Sequence, residues 1–97
     1  MSLHGNPVIE HAHLPSGGEV RIRVGVAEDP YIADSELSTV VLELRVGNSV
    51  VASLDTILNP DQVTEAHHLA NRVRDGLASG ELHPTAASLG PLTDEFL

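Results

Sequence analysis

Six histidines are the clearest enrichment of side chains that could do chemistry in this chain of 97 residues. His11 and His13 are two positions apart, so both imidazoles lie on one side of an extended segment. With His4, His67 or His68 as a further ligand they could hold Zn²⁺ or Ni²⁺, because imidazole suits both ions. The full tetrahedral signature of a zinc site is missing. We therefore expect surface histidines and no bound metal, with His11, His13 and His67 as weak candidate ligands.

Other patterns that carry catalysis are missing from the sequence. The acidic stretch 28–38 lacks the alternating ligands and the central glycine of a calcium loop. There is no cysteine and no Gly-x-Ser-x-Gly motif, and neither Gly17-Gly18 nor Gly47-Asn48 has the spacing of a phosphate-binding loop. We therefore expect a protein that is not an enzyme and that uses no cofactor.

The charge balance argues against polyanionic partners. The chain has 14 Asp and Glu residues against 5 basic residues, all of them Arg, for a net charge of −9. This charge repels nucleic-acid phosphates and anionic membrane surfaces, and it suits a basic protein partner. The sequence has no apolar run of membrane-spanning length and no signal-peptide pattern, so we expect a cytoplasmic protein.

Alternation of apolar and polar residues predicts three β-strands. The first covers residues 19–27, the second residues 39–46, and the third residues 50–57. An acidic loop, residues 28–38, joins the first two strands. The inward-facing residues of these two strands are Val20, Ile22, Val24, Val26, Val40, Leu42, Leu44 and Val46.

The hairpin between the second and third strands has two candidate registers. A two-residue loop, Gly47-Asn48, pairs Val46 with Ser49 and places polar residues on the apolar face. A three-residue loop that includes Ser49 gives apolar pairs instead: Val46 with Val50, Leu44 with Ala52, and Leu42 with Leu54. Because a slip of one residue exchanges the two faces, burial favours the three-residue loop.

One amphipathic helix is predicted after the strands. Asn59 and Gln62 have the spacing of a capping box, and Pro60 suits the first helical position. Gly80 is the predicted terminator, with Gly76 as an earlier alternative. Apolar residues recur between them at spacings of three and four: Val63, Ala66, Ala70, Val73 and Leu77.

The order of these elements predicts an α+β fold, a three-stranded antiparallel β-meander packed by one C-terminal α-helix (β-β-β-α). The domain spans residues 19–80, between flexible N- and C-terminal tails at 1–18 and 81–97. One helix on three strands without aromatic bulk makes a thin core, and small domains often gain burial from a second chain. We therefore expect a homodimer through sheet edges or exchanged tails. The alternative is a monomer with its tails folded over the sheet.

Two groups of residues form the predicted interaction surface. The group on the outer sheet face, which also carries Glu19 and Glu43, consists of Arg21, Arg23, Val41 and Arg45. The group in the C-terminal tail consists of Leu92, Phe96 and Leu97. For the first group, cross-strand charge pairing is favoured over a partner or anion surface. The second group is either a docking segment or a tail packed on its own domain.

These observations favour a small non-catalytic protein that acts through protein–protein contacts, as a homodimer, with a partner that the sequence does not identify. One alternative is an acidic regulator that blocks a basic partner, such as an antitoxin-like or nucleic-acid-mimicking inhibitor, because of the charge of −9. A second alternative is a histidine-based metal-binding protein.

Overall fold

The computed structural model describes Leu3, residues 6–26 and residues 39–94, apart from the side chain of Asp94. Within these ranges the chain forms four strands and two helices: β1 (Val8–His13), β2 (Glu19–Val26), β3 (Val40–Val46), β4 (Ser49–Asp55), α1 (Val63–Ser79) and α2 (Ala86–Asp94). The strands form one antiparallel sheet in the order β1-β2-β3-β4. The α+β class is confirmed, whereas the predicted three strands and one helix are too few.

The first correction concerns β1, which lies in the segment predicted as the N-terminal tail. β1 pairs with β2 along its whole length. In the turn between them, the Leu14 N–H donates to the Gly18 carbonyl at 2.7 Å and the Gly17 N–H donates to the Leu14 carbonyl at 2.9 Å. Gly17 has a φ of +99° there, which a glycine adopts without steric cost. The partner strand β2 therefore orders a segment whose own pattern is weak.

The second correction concerns α2, which lies in the segment predicted as the C-terminal tail. Thr85 caps this helix, since its Oγ1 accepts a hydrogen bond from the Ser88 N–H at 3.2 Å. Leu89 and Leu92 of α2 are buried in the core. The expectation of a flexible tail is therefore wrong for these residues.

Helix α1 confirms the predicted amphipathic helix but starts later than the proposed cap. The Gln62 Oε1 accepts a hydrogen bond from the Asn59 backbone N–H at 2.7 Å, which is one half of the predicted capping box. No side chain caps the first turn, and the helix begins at Val63. At the other end Gly80 has a φ of +82° and terminates the helix as predicted.

The core lies between one face of the sheet and both helices. α1 packs against β1 and β2, and α2 contacts β4. The buried sheet residues alternate along the strands: Val8, Ala12, Val20, Ile22, Val24, Val26, Val40, Leu42, Leu44 and Ala52. The helices contribute Ala66, Leu69, Ala70, Val73, Leu77, Leu89 and Leu92. Leu3 is also buried, and its N–H donates to the Pro60 carbonyl at 2.8 Å.

At its tip, the hairpin of β3 and β4 adopts the register that burial did not favour. Gly47 and Asn48 form a two-residue loop, and Val46 lies opposite Ser49 rather than opposite Val50. Gly47 has a φ of +61°, the left-handed conformation that such tight loops require. The predicted three-residue loop is therefore wrong.

Further from the tip, the same hairpin has the register that burial does favour. Leu44 lies opposite Ala52 and Leu42 lies opposite Leu54, as predicted. A β-bulge connects the two registers, with Val51 as the extra residue on β4. The bulge allows a tight loop and an apolar core face to coexist in one hairpin.

Candidate interaction surface on the open face of the sheet

The face of the sheet opposite the helices is not covered by any element of the described ranges. We call this surface the open face. Its side chains alternate with those of the core along each strand: Ile9, His11, His13, Glu19, Arg21, Arg23, Gly25, Val41, Glu43, Arg45, Val50, Ser53 and Asp55. The predicted outer-face group of three arginines and Val41 is therefore brought together on one surface.

A row of basic side chains crosses the open face. Arg21 on β2 lies directly opposite His11 on β1 and directly opposite Arg45 on β3. We call His11, Arg21 and Arg45 the arginine row. The two arginines of this row are like charges placed directly opposite each other on neighbouring strands, which opposes folding. Arg21 is exposed and makes no ion pair within the part of the chain that the structure describes.

Two members of the arginine row, Arg45 and His11, lie beside carboxylates, whereas Arg21 has no ion pair among the described residues. Arg23 lies directly opposite Glu43. The Arg45 Nε donates to the Glu43 Oε1 at 2.6 Å, so this carboxylate lies beside two arginines. At the β1 edge, the His11 Nδ1 lies 3.2 Å from the Glu19 Oε1. Carboxylates thus flank the arginine row on the sheet, and Arg21 at its centre makes neither of these two contacts.

One end of the open face is apolar and closely packed. Gly25 is buried although it lies on this face, because Pro7 lies directly against it. A Cβ at Gly25 would lie 2.8 Å from the Pro7 Cβ and 3.2 Å from the Arg23 guanidinium carbon. The Arg23 side chain therefore extends along the strand over Gly25, and half-buried Val41 lies opposite on β3. The half-exposed surface of Val41 is therefore apolar and lies beside the Arg23 side chain.

The open face differs in charge from the rest of the chain. It holds three of the five arginines, together with Glu19, Glu43 and Asp55 out of 14 acidic residues. These charges cancel on the face, so the whole net charge of −9 belongs to the remainder of the chain. An approaching ligand with a few carboxylates therefore meets its least repulsive surface here.

The candidate metal ligands are not brought together. His11 and His13 are exposed on the open face, whereas exposed His67 lies on α1, the helix that packs against the opposite face of the sheet. Among the described residues, no group of three or more His, Asp or Glu side chains is arranged to hold a metal ion. The acidic loop 28–38 lies outside these residues.

The second predicted group separates into two cases. Leu92 is only 4% exposed and lies in the core, so it packs on its own domain, which is the alternative the sequence left open. Its assignment as an interaction residue is therefore corrected. Phe96 and Leu97 lie outside the described residues.

The part of this surface that sequence reasoning missed is its β1 edge. His11 and Ile9 join the open face only because β1 pairs with β2. The two-residue spacing of His11 and His13 around buried Ala12 was the local signal for a strand.

Comparison of the chain with protein-family models, with curated proteins and with solved structures found no match. None of the helices in the described ranges is both long enough and apolar enough to cross a bilayer.

Proposed function

We propose that this protein is a non-catalytic interaction module whose open face binds an acidic segment of a partner protein. The observation that carries this proposal is the arginine row, in which Arg21 lies between His11 and Arg45 on an exposed surface. An arrangement that opposes folding without an evident structural gain is typical of a binding site, where the ligand supplies the missing charge.

The chemistry of the arginine row suits a carboxylate. Arg21 and Arg45 are cross-strand neighbours, so their Cβ atoms are about 5 Å apart and both guanidinium groups can reach one ligand side chain. A guanidinium binds a carboxylate through two parallel hydrogen bonds, which makes the contact strong and directional. An Asp or Glu side chain of the partner is therefore the matching group.

The surroundings of the row favour a peptide over a continuous polyanion. Glu19 and Glu43 lie next to the row, and Asp55 lies opposite Val41 at the far end of the face. A nucleic acid, with a phosphate at every residue, would meet these carboxylates as well as the net charge of −9. A peptide can place one acidic side chain on the row and apolar side chains on Ile9 and Val41.

The exposure of these groups favours recognition over catalysis. The side chains of His11 and Glu19 are 55% and 56% exposed, and that of Arg45 is 44% exposed. Charged groups achieve large catalytic effects in water-excluded sites of low dielectric constant. Groups that remain in water are instead suited to a reversible contact whose strength depends on salt concentration.

The test is a selection of random peptides of about 12 residues, displayed on phage, against the wild-type protein. We expect the selected peptides to be enriched in Asp or Glu next to apolar residues. Arg21→Gln combined with Arg45→Gln should weaken their binding at least about tenfold, as expected for losing charge-assisted hydrogen bonds. Arg72→Gln is the matched control for Arg21→Gln alone, because it removes one positive charge from the exposed side of α1, and it should leave binding unchanged.

A stability measurement separates binding from a structural role. If the row exists for a ligand, Arg21→Gln removes cross-strand repulsion and leaves the free energy of unfolding unchanged or raised. A loss of stability with unchanged peptide binding would show that Arg21 acts within the fold. Selected peptides without acidic residues, or equal binding by the double variant, would contradict the proposal.

A further inference from the structure

A second candidate surface is the edge of the sheet formed by β4. β4 forms one edge of the sheet, so its outer backbone groups have no strand partner within the described ranges. Unpaired edge strands are templates for adding another strand. The apolar side chains that the described structure leaves most exposed lie on β4 or directly next to it: Val46 (41%), Val50 (49%), Val51 (42%) and Ile57 (53%).

This edge is also nearly free of charge. Residues 46–54 contain no Asp, Glu, Lys or Arg, although the chain carries a net charge of −9, and Asp55 is the only charged residue of β4. The opposite edge is different, because β1 carries Glu10, whose side chain points toward the core face. An inward-pointing charge is one of the devices that protect an edge strand from pairing with another chain. β4 has no inward-pointing charge. Its bulge at Val51, which is another such device, lies near the hairpin loop, and residues 52–55 pair regularly with β3.

We propose that two copies of this chain form a homodimer by antiparallel pairing of their β4 edges. A second copy is the occupant that these observations favour, since it brings the same uncharged strand and the same unpaired backbone groups. Two molecules of charge −9 repel each other least where neither carries charge. The dimer goes beyond the proposed function, because the open face stays accessible on the continuous sheet that the two copies form.

The distribution of apolar residues along β4 suggests the register. Val51 lies near the beginning of the strand and Ile57 lies just past its end. In a two-fold antiparallel pair, residue i of one chain contacts residue j of the second, and j contacts i. A two-fold axis at Leu54 places Val51 opposite the Ile57 of the second copy. It also places Ser53 opposite Asp55, so that the two aspartates do not face each other.

Light scattering and sedimentation over a range of concentrations test the dimer. We expect a reversible dimer that Val51→Lys weakens at least about tenfold, because the substitution places a charge in each of the two symmetric contacts between residue 51 and Ile57. Ala78→Lys is the control, since it makes the same change of charge on the exposed end of α1 and should leave the dimer intact. Circular dichroism melting of both variants verifies that they fold.

Salt dependence separates this proposal from the proposed function. Raising NaCl from about 0.05 M to about 0.5 M should strengthen the dimer, since it screens repulsion between two acidic molecules. The same change should weaken binding of acidic peptides to the open face. Either proposal can therefore fail while the other stands.

Cysteine cross-linking tests the register, and the natural chain has no cysteine to interfere. Mixing a Val51→Cys chain with an Ile57→Cys chain under oxidising conditions should yield a disulfide-linked pair, whereas Val51→Cys alone should not. A monomer at every concentration would overturn the proposal. A dimer unaffected by Val51→Lys, or cross-links independent of the cysteine position, would overturn it as well.

Discussion

The carboxylate of Glu10 lies 3.3 Å from the guanidinium of Arg74, and this ion pair joins the edge strand β1 to helix α1. Glu10 lies opposite buried Ile22, on the face of the sheet that packs against the helix. The two side chains are 30% and 37% exposed, so the pair lies at the rim of the core. Glu10 thus occupies a position of β1 where the alternating pattern would place an apolar residue, and Arg74 of the helix balances its charge.

The ion pair predicts a measurable coupling between strand and helix. Glu10→Gln and Arg74→Gln should each reduce the free energy of unfolding, and the coupling free energy in a double-mutant cycle should be about 0.5 kcal/mol. Arg74 also contacts Asp75 at 3.1 Å, so its own substitution loses more than the pair. Urea denaturation measures all four proteins. A coupling of zero would show that β1 is held by its backbone pairing with β2 and by its buried apolar side chains, Val8 and Ala12.

The packing around Gly76 predicts that Gly76→Ala lowers the free energy of unfolding, although a change from glycine to alanine usually stabilises a helix. A Cβ at this position would lie 2.6 Å from the Leu82 Cγ, so Gly76→Ala displaces the side chain that follows the helix. We expect a net destabilisation of about 1 kcal/mol, even though alanine favours a helix over glycine by about the same amount. In the Leu82→Ala background the same substitution should stabilise the protein. If Gly76→Ala destabilises the protein in both backgrounds, the clash with Leu82 is not the cause of the destabilisation.

The backbone conformation of Gly47 predicts that substitutions in the tight hairpin loop lower the stability of the protein. Its φ of +61° is unfavourable for an alanine, so Gly47→Ala should reduce the free energy of unfolding by about 1 kcal/mol. Gly47→Asn should be tolerated better, since asparagine adopts a positive φ more readily than alanine does. Thermal melting of the two variants compares them directly, and equal stabilities would argue for a different loop conformation.

The position of Pro91 inside α2 predicts that its replacement by alanine stabilises the protein. This proline lies inside the helix, where it lacks an N–H and where its ring crowds the carbonyl of Ala87, four residues earlier. Because Pro91 is exposed, Pro91→Ala should add a helical hydrogen bond without disturbing the core, and should stabilise the protein by about 1 kcal/mol or more. The control Ala78→Pro, late in α1, should destabilise. A lower melting temperature for Pro91→Ala would contradict a continuous helix in this segment.

Much of the central fold is predictable from local patterns. β2 and β3 alternate strongly between apolar and polar residues, and α1 carries an apolar stripe that ends at Gly80. These patterns also placed Arg21, Arg23 and Arg45 on one face. The hairpin could not be predicted in full, because a bulge at Val51 lets the loop and the core adopt different registers.

The two missed elements have specific physical causes. In β1 the core positions are Val8, Glu10 and Ala12, which hold only one large apolar side chain, so the strand depends on pairing with β2 and on Arg74. In α2 the Gly90-Pro91 pair is a local signal for a turn. The helix continues through it because Gly90 has no Cβ to clash with the proline ring and because Leu89 and Leu92 are buried.

The most direct test of the central claim is a titration of the isotope-labelled protein with a selected acidic peptide, followed by NMR chemical shifts. We expect the largest shifts at His11, Arg21 and Arg45, smaller shifts at Val41, and none on the exposed side of α1 around Arg72. The shifts should be absent in the Arg21→Gln and Arg45→Gln double variant. Shifts centred on the helices, or an unchanged pattern in the double variant, would contradict the assignment of the open face as the binding surface.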